Sequence, residues 1–120
     1  MASVSQHLTK AEYNQRAADA MAAQGFFDWA ISALFYAALN LTQAHLLETG
    51  VEVTTHVRRR RAIIDSAELA TILEPYSVLQ LRSEAARYDC QSFSLSEYVE
   101  TRDGVYAVIV RHLRDLRGTR

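Results

Sequence analysis

The chain has 120 residues, with 13 Lys and Arg against 14 Asp and Glu and a net charge of −1. This length fits one domain (1–120) that buries about two-thirds of its unfolded surface. The near-neutral charge argues against a protein whose main task is to coat nucleic acid. The single cysteine, Cys90, excludes an internal disulfide and suits a reducing, cytoplasmic compartment. No Cys/His spacing typical of zinc sites is present, so we predict neither a metal nor a cofactor.

The composition predicts an all-α protein. Alanine and leucine are abundant, whereas the chain has four glycines and one proline, so there are few turn signals for a sheet. The first helix is predicted to begin at a Thr9–Glu12 capping box, or earlier near Ser5, and to run to Gln24. Gly25 breaks it just before the next helix, which predicts that the first two helices are antiparallel neighbours.

A central helix is predicted at Phe26–Glu48, ending before Gly50 in a left-handed conformation. Between Asp28 and Glu48 this segment carries no formal charge, and its apolar residues cover every side of a helix. Such a helix is either enclosed by other helices or spans a membrane. Polar residues interrupt the run at five positions, which favours a buried core helix and no membrane: Ser32, Asn40, Thr42, Gln43 and His45.

Three further helices are predicted. After a loop, Thr54 or Thr55 caps a short helix at His56–Asp65. Pro75 lies in the first turn of the next helix, which runs to Tyr88. A stripe of Tyr76, Leu79, Ser83 and Ala86, widened by Val78, Leu81 and Ala85, is predicted to face the core.

A second capping box at Ser94 and Glu97 opens the last, amphipathic helix, which runs to about Arg117 and stops at Gly118. Together these elements predict an up-and-down four-helix bundle with a short extra helix between the second and third long helices. The chain has more large apolar side chains than one short core can bury, among them Phe26, Trp29 and Phe93. This surplus predicts a homodimer.

Two stretches carry a resemblance to a known family. DWAISALFYAALN (28–40) resembles the second helix of HEPN domains (higher eukaryotes and prokaryotes nucleotide-binding). A glycine after that helix, Thr55-His56 and RSEAARYD (82–89) extend the resemblance over nearly the whole chain. It implies a helical bundle that commonly dimerises. Many such domains are metal-independent ribonucleases, often toxins of toxin–antitoxin or defence systems paired with a nucleotidyltransferase-like antitoxin.

The chain departs from the family at the catalytic motif. Many HEPN ribonucleases carry Arg followed four to six residues later by His, and no arginine here has His at that spacing. Arg82 instead has Tyr88 six residues on, and Asn40 stands where a histidine is frequent. Tyrosine, with a pKa near 10, is a poor general base at neutral pH, whereas histidine is well matched to this task.

Two groups of candidate ligand-binding residues follow. Arg82 is suited to clamp a phosphate, with Tyr88 and Asp89 beside it, although Arg82 and Asp89 also suit a simple ion pair on one helix face. His56, Arg59 and Arg60 are a second cationic group, with a solvated helix face as the alternative.

The sequence therefore predicts a protein that binds RNA or a nucleotide without efficient turnover. The alternative is a metal-independent endoribonuclease that uses Arg82 with Tyr88 or His56. A third interpretation is a helical bundle that binds another protein and has no nucleic-acid role.

Overall fold

A computed structural model describes residues 2–119, and throughout that range the chain forms helices and connecting turns without strands. The helices are α1 (Val4–Ala23), α2 (Phe27–Glu48), α3 (His56–Asp65), α4 (Leu73–Tyr88), α5 (Leu95–Glu100) and α6 (Ala107–Gly118). A 3₁₀ turn, Ala70–Ile72, precedes α4, and a π-helical segment, Thr101–Tyr106, joins α5 to α6. The predicted all-α bundle with a short helix inserted before the third long helix is confirmed.

The first two helices are antiparallel, as the short connection predicts. Gly25 adopts a positive φ of 84°, and the Phe26 amide bonds to the Met21 carbonyl across the turn. At the other end of the pair, His7 Nδ1 lies 2.9 Å from Asn40 Oδ1. The small side chains of Ala11 and Ala18 are buried, which allows α1 and α2 to pack closely.

The helix starts are set by side-chain caps. Thr55 caps α3, because its hydroxyl accepts a hydrogen bond from the Arg58 amide, and Ser94 and Glu97 form the predicted capping box of α5. The capping box predicted at Thr9 is wrong. Ser3 and Gln6 form the box instead, so that Thr9 lies within the helix, where the backbone amides already have carbonyl partners.

α2 is the core of the bundle: fourteen of its 22 residues are buried. It alone among the helices within residues 2–119 is long and apolar enough to cross a membrane, and 78% of the window that meets this criterion is buried inside the protein. Such extensive burial inside the bundle is typical of a core helix. The burial is not complete on every side, however, because Trp29 is 56% exposed in the first turn.

α4 presents Tyr76, Leu79 and Ser83 to the core, as its stripe predicts. Leu81 was expected to widen this stripe, but it is 66% exposed. Two residues on from Leu79, it is rotated about 200° round the helix and faces solvent.

The last long helix is continuous from Leu95 to Gly118 but contains the π-helical segment. A π turn holds one more residue than an α turn and so shifts the helical register. Val105 and Tyr106, which lie in this segment, are both buried, and so are Ile109 and Leu113 further along the helix. The sequence predicts the apolar repeat of this helix but not the shift.

Candidate functional site

The start of α3 places two of the predicted cations together. Thr55 ends an extended segment and caps α3, so His56 is the first helical residue and Arg59 follows one turn later. Arg59 Nη1 lies 3.4 Å from His56 Nδ1. The His56 ring packs near the ring of Phe35 on α2, with centroids 5.9 Å apart, yet the side chain remains exposed to solvent.

Arg59 is buried although it is an arginine, with only 6% of its surface exposed. Its Nε donates a hydrogen bond of 2.9 Å to Oε1 of Gln43, a buried residue of α2. Its guanidinium also lies close to the Tyr76 hydroxyl, although their geometry is not that of a hydrogen bond. Burial raises the pKa of Tyr76 to about 12, and the nearby Arg59 cation opposes that rise.

The end of α4 contributes a second arginine, Arg87. Its Nη1 donates to the hydroxyl of Tyr36, at 2.6 Å, and to that of Tyr88, at 3.3 Å. The guanidinium carbon lies 5.3 Å from the Tyr36 ring centroid and 4.9 Å from that of Tyr88, which are cation–π distances. Its Nε bonds to the Ser83 carbonyl, so the side chain is directed back along α4.

The two arginines act on the same histidine. Partial burial lowers the pKa of His56 below its ordinary value, and Arg59 and Arg87 lower it further, while Glu84 opposes them. His56 is therefore mainly neutral at pH 7. Guanidinium nitrogens only donate, so the approach of Arg59 to Nδ1 favours the tautomer that carries its proton on Nε2. That tautomer presents an N–H donor rather than a base.

We name His56, Arg59, Arg87, Tyr36 and Tyr88 the α3–α4 site. Neither arginine of this site forms an ion pair with a carboxylate within residues 2–119. The Tyr88 ring is 72% exposed and stands at the edge of the site. The arrangement offers two cations, an imidazole N–H and phenol groups, all of which are suited to an anionic ligand.

The remaining predicted residues have other contacts. Arg82 bonds to the Glu100 carboxylate at 2.6 Å and to the Thr101 hydroxyl at 2.7 Å, and thus ties α4 to the last long helix. Asp89 is the exposed residue that ends α4, and Arg82 forms its ion pair with Glu100 instead. Arg60 donates to the Ser77 hydroxyl and so joins α3 to α4.

The sequence predictions missed three residues: Arg87, Tyr36 and Gln43. Arg87 directly precedes Tyr88, so the sequence could have predicted that the two lie close together. Whether Arg87 contacts Tyr36 or solvent depends on how α4 packs against α2. The signal for Gln43 was an uncharged polar residue in an otherwise apolar helix, because buried amides need partners. Those partners come from α3 and the preceding segment, which sequence spacing alone does not place.

The cavities outside the α3–α4 site include the following two. One, of about 650 Å³, is bounded by the end of α2, the segment 51–53, α3 and the turn after it. The other, of about 430 Å³, lies between Gln15 of α1 and the π-helical segment and α6, where Arg111 and Arg114 line it. Within residues 2–119, no three His, Cys, Asp or Glu side chains are grouped as a metal ion requires.

Neither the models of known protein families nor the curated proteins include a match to this chain.

Proposed function

We propose that this protein binds a phosphate-bearing ligand, RNA or a nucleotide, at the α3–α4 site. The observation that carries the proposal is the pair Arg59 and Arg87, which form no ion pair with a carboxylate in the described part of the chain. Arg59 contacts His56, and Arg87 contacts Tyr36, the residue next to the Phe35 ring on which His56 packs. Partly buried arginines are usually paired, and a phosphate supplies the missing negative charge with bidentate geometry.

The HEPN-like stretches support the same proposal, because their residues contribute to the site. DWAISALFYAALN contains Tyr36, Thr55-His56 opens α3, and RSEAARYD contains Arg87 and Tyr88. We propose that the protein is a HEPN-type component of a toxin–antitoxin or defence system, that it forms a homodimer in the cytoplasm, and that a nucleotidyltransferase-like antitoxin is its partner. Arg87 takes the place beside Tyr88 that the sequence assigned to Arg82.

The proposed activity is binding without efficient turnover. In the favoured tautomer His56 presents Nε2–H, which donates to a phosphate but does not take the proton of a 2′-hydroxyl. The phenol of Tyr88 donates more readily than it accepts. Loss of a tuned general acid or base removes about 10²–10⁴-fold in rate, so binding persists where cleavage does not.

A metal-independent endoribonuclease is the second candidate function. One observation favours it: the pKa of His56 is lowered, so the imidazole is neutral at pH 7. A neutral imidazole becomes a base once a bound substrate displaces Arg59 from Nδ1. Arg87 would then stabilise the negative charge on the phosphorane.

One experiment tests binding and cleavage together. A fluorescent single-stranded RNA and a labelled nucleotide are titrated with the wild type, Arg87→Ala, His56→Ala and Arg61→Ala, and the RNA is afterwards examined for cleavage on a gel. Arg61 is the control, because it is an arginine of α3 that lies on the exposed face of the helix and pairs with Asp65.

We expect Arg87→Ala to weaken binding by about 1.5–3 kcal/mol, because a hydrogen bond to a charged group is lost. Arg61→Ala should change the affinity by much less, and the RNA should remain intact. If both arginine variants weakened RNA binding equally, the binding would depend on the overall positive charge and not on the α3–α4 site. Cleavage abolished by both Arg87→Ala and His56→Ala would establish the endoribonuclease.

A further inference from the structure

Gln43 joins three parts of the protein at one buried amide. It lies on α2, with 4% of its surface exposed. Its Oε1 accepts from Arg59 Nε at 2.9 Å, and its Nε2 donates to the Val53 carbonyl at 3.0 Å. The arginine only donates and the carbonyl only accepts, so chemistry fixes which end of the amide faces each partner.

The segment before α3 is held at its middle and at its last residue. The Val53 carbonyl is bonded to Gln43, and the Thr55 hydroxyl and carbonyl accept from the amides of Arg58 and Arg59. Val53 also lines the 650 Å³ cavity, whereas Arg59, six residues later, is part of the α3–α4 site. The segment thus lines a cavity, and Gln43 contacts both the segment and Arg59 of the site.

We propose that Gln43 is a positioning residue through which the segment 51–55 controls the orientation of Arg59 in the α3–α4 site. The inference rests on the proposed function, since Arg59 matters for a ligand only if the site binds one. Arg59 has a long, flexible side chain, and its Nε bond to a rigid core helix removes much of that freedom before a ligand arrives. A displaced segment withdraws the Val53 carbonyl, frees the amide of Gln43 and loosens Arg59.

Glutamine suits this position better than other amino acids of similar size. Glutamate keeps an acceptor for Arg59 but has no donor for Val53, and methionine fills a similar volume with neither. The two substitutions therefore separate the contact with the arginine from the contact with the segment. They give a matched pair at one position.

The test measures Arg59 directly, without a ligand. The exchange of its Nε–H proton with water is followed by nuclear magnetic resonance in the wild type, Gln43→Met, Gln43→Glu and Val53→Gly. We expect Gln43→Met to speed the exchange by about tenfold or more, because the hydrogen bond is lost. Gln43→Glu should keep it slow although the contact with Val53 is lost, since the carboxylate still accepts and its charge binds the guanidinium more strongly than the amide does. Val53→Gly should speed it, because a mobile segment releases the amide.

The affinity for the single-stranded RNA is then measured for the same proteins. Gln43→Met and Val53→Gly should weaken binding about tenfold. Gln43→Glu should weaken it as well, because its carboxylate pairs with Arg59 and competes with the phosphate. Unchanged Arg59 exchange in Gln43→Met and Val53→Gly would overturn the positioning role, as would loss of protection in Gln43→Glu. A wild type with protected Arg59 that binds neither RNA nor nucleotide would instead contradict the proposed function.

Discussion

The chemistry of His56 depends on its neighbours more than on its own position in the chain. It stands at the first turn of a helix, where the macrodipole already disfavours a cation. Burial against Phe35, followed by Arg59 and Arg87, lowers its pKa below 6.5. A bound phosphate would reverse this balance, because its negative charge favours the imidazolium.

We therefore expect the affinity for RNA to depend on pH through His56. Proton uptake on binding makes the affinity rise as the pH falls through the window between the pKa of His56 in the complex and its pKa in the free protein, which is lowered below its ordinary value. The titration uses an RNA with a 5′-hydroxyl end, so that no phosphomonoester titrates in this range. His56→Ala should flatten the dependence, and a wild type whose affinity is the same at pH 6 and pH 8 would contradict the role given to His56.

At the scale of the elements, the short helix α3 is the part that assembles the site. Its N-cap fixes where the helix begins, and its first two turns place His56 and Arg59 toward α2. Arg60 bonds to Ser77 and holds α3 against α4. The order of the α3–α4 site therefore depends on the order of the first turns of α3.

Two adjacent threonines test this dependence. Thr55→Ala should lower the free energy of unfolding by about 1 kcal/mol, because the cap to the Arg58 amide is lost, and should also weaken RNA binding. Thr54→Ala is the control, since Thr54 is exposed and does not cap the helix. Urea denaturation with equal losses of stability in the two variants would argue against a special role for the cap.

The elements also show what the sequence was able to predict. Composition, Gly25, Gly50 and the capping residues sufficed for the number and order of the helices, because these signals are local. Side-chain partners depend on packing between helices that are distant in the chain. Arg82 was expected beside Asp89, seven residues away, yet it bonds to Glu100 across the bundle.

At the scale of the whole molecule, the bundle buries α2 but leaves large apolar side chains in solvent. Phe26 is 53% exposed and Trp29 is 56% exposed, and they occupy the start of the central helix. Phe93, which was also counted as surplus to one core, is buried at 9% exposure. The exposed pair is a candidate contact for a second copy of the chain.

The homodimer remains a prediction, and the exposed Phe26 and Trp29 indicate where its interface would lie. Light scattering at micromolar concentration should give twice the chain mass for the wild type, and Trp29→Gln should shift the equilibrium toward the monomer. Leu81→Gln is the control, because Leu81 is similarly exposed on α4. A monomer mass for the wild type at these concentrations would exclude the dimer.

The proposed phosphate site is tested most directly by the arginine Nε–H signals in nuclear magnetic resonance spectra, recorded while a 5′-hydroxyl single-stranded RNA is added. Each arginine reports its own surroundings, so one titration compares all the candidate surfaces of the protein. We expect the signals of Arg59 and Arg87 to move and saturate together, while those of Arg61 and Arg82 stay in place. Movement of Arg82 without Arg87, or no movement at saturating RNA, would contradict the proposed site.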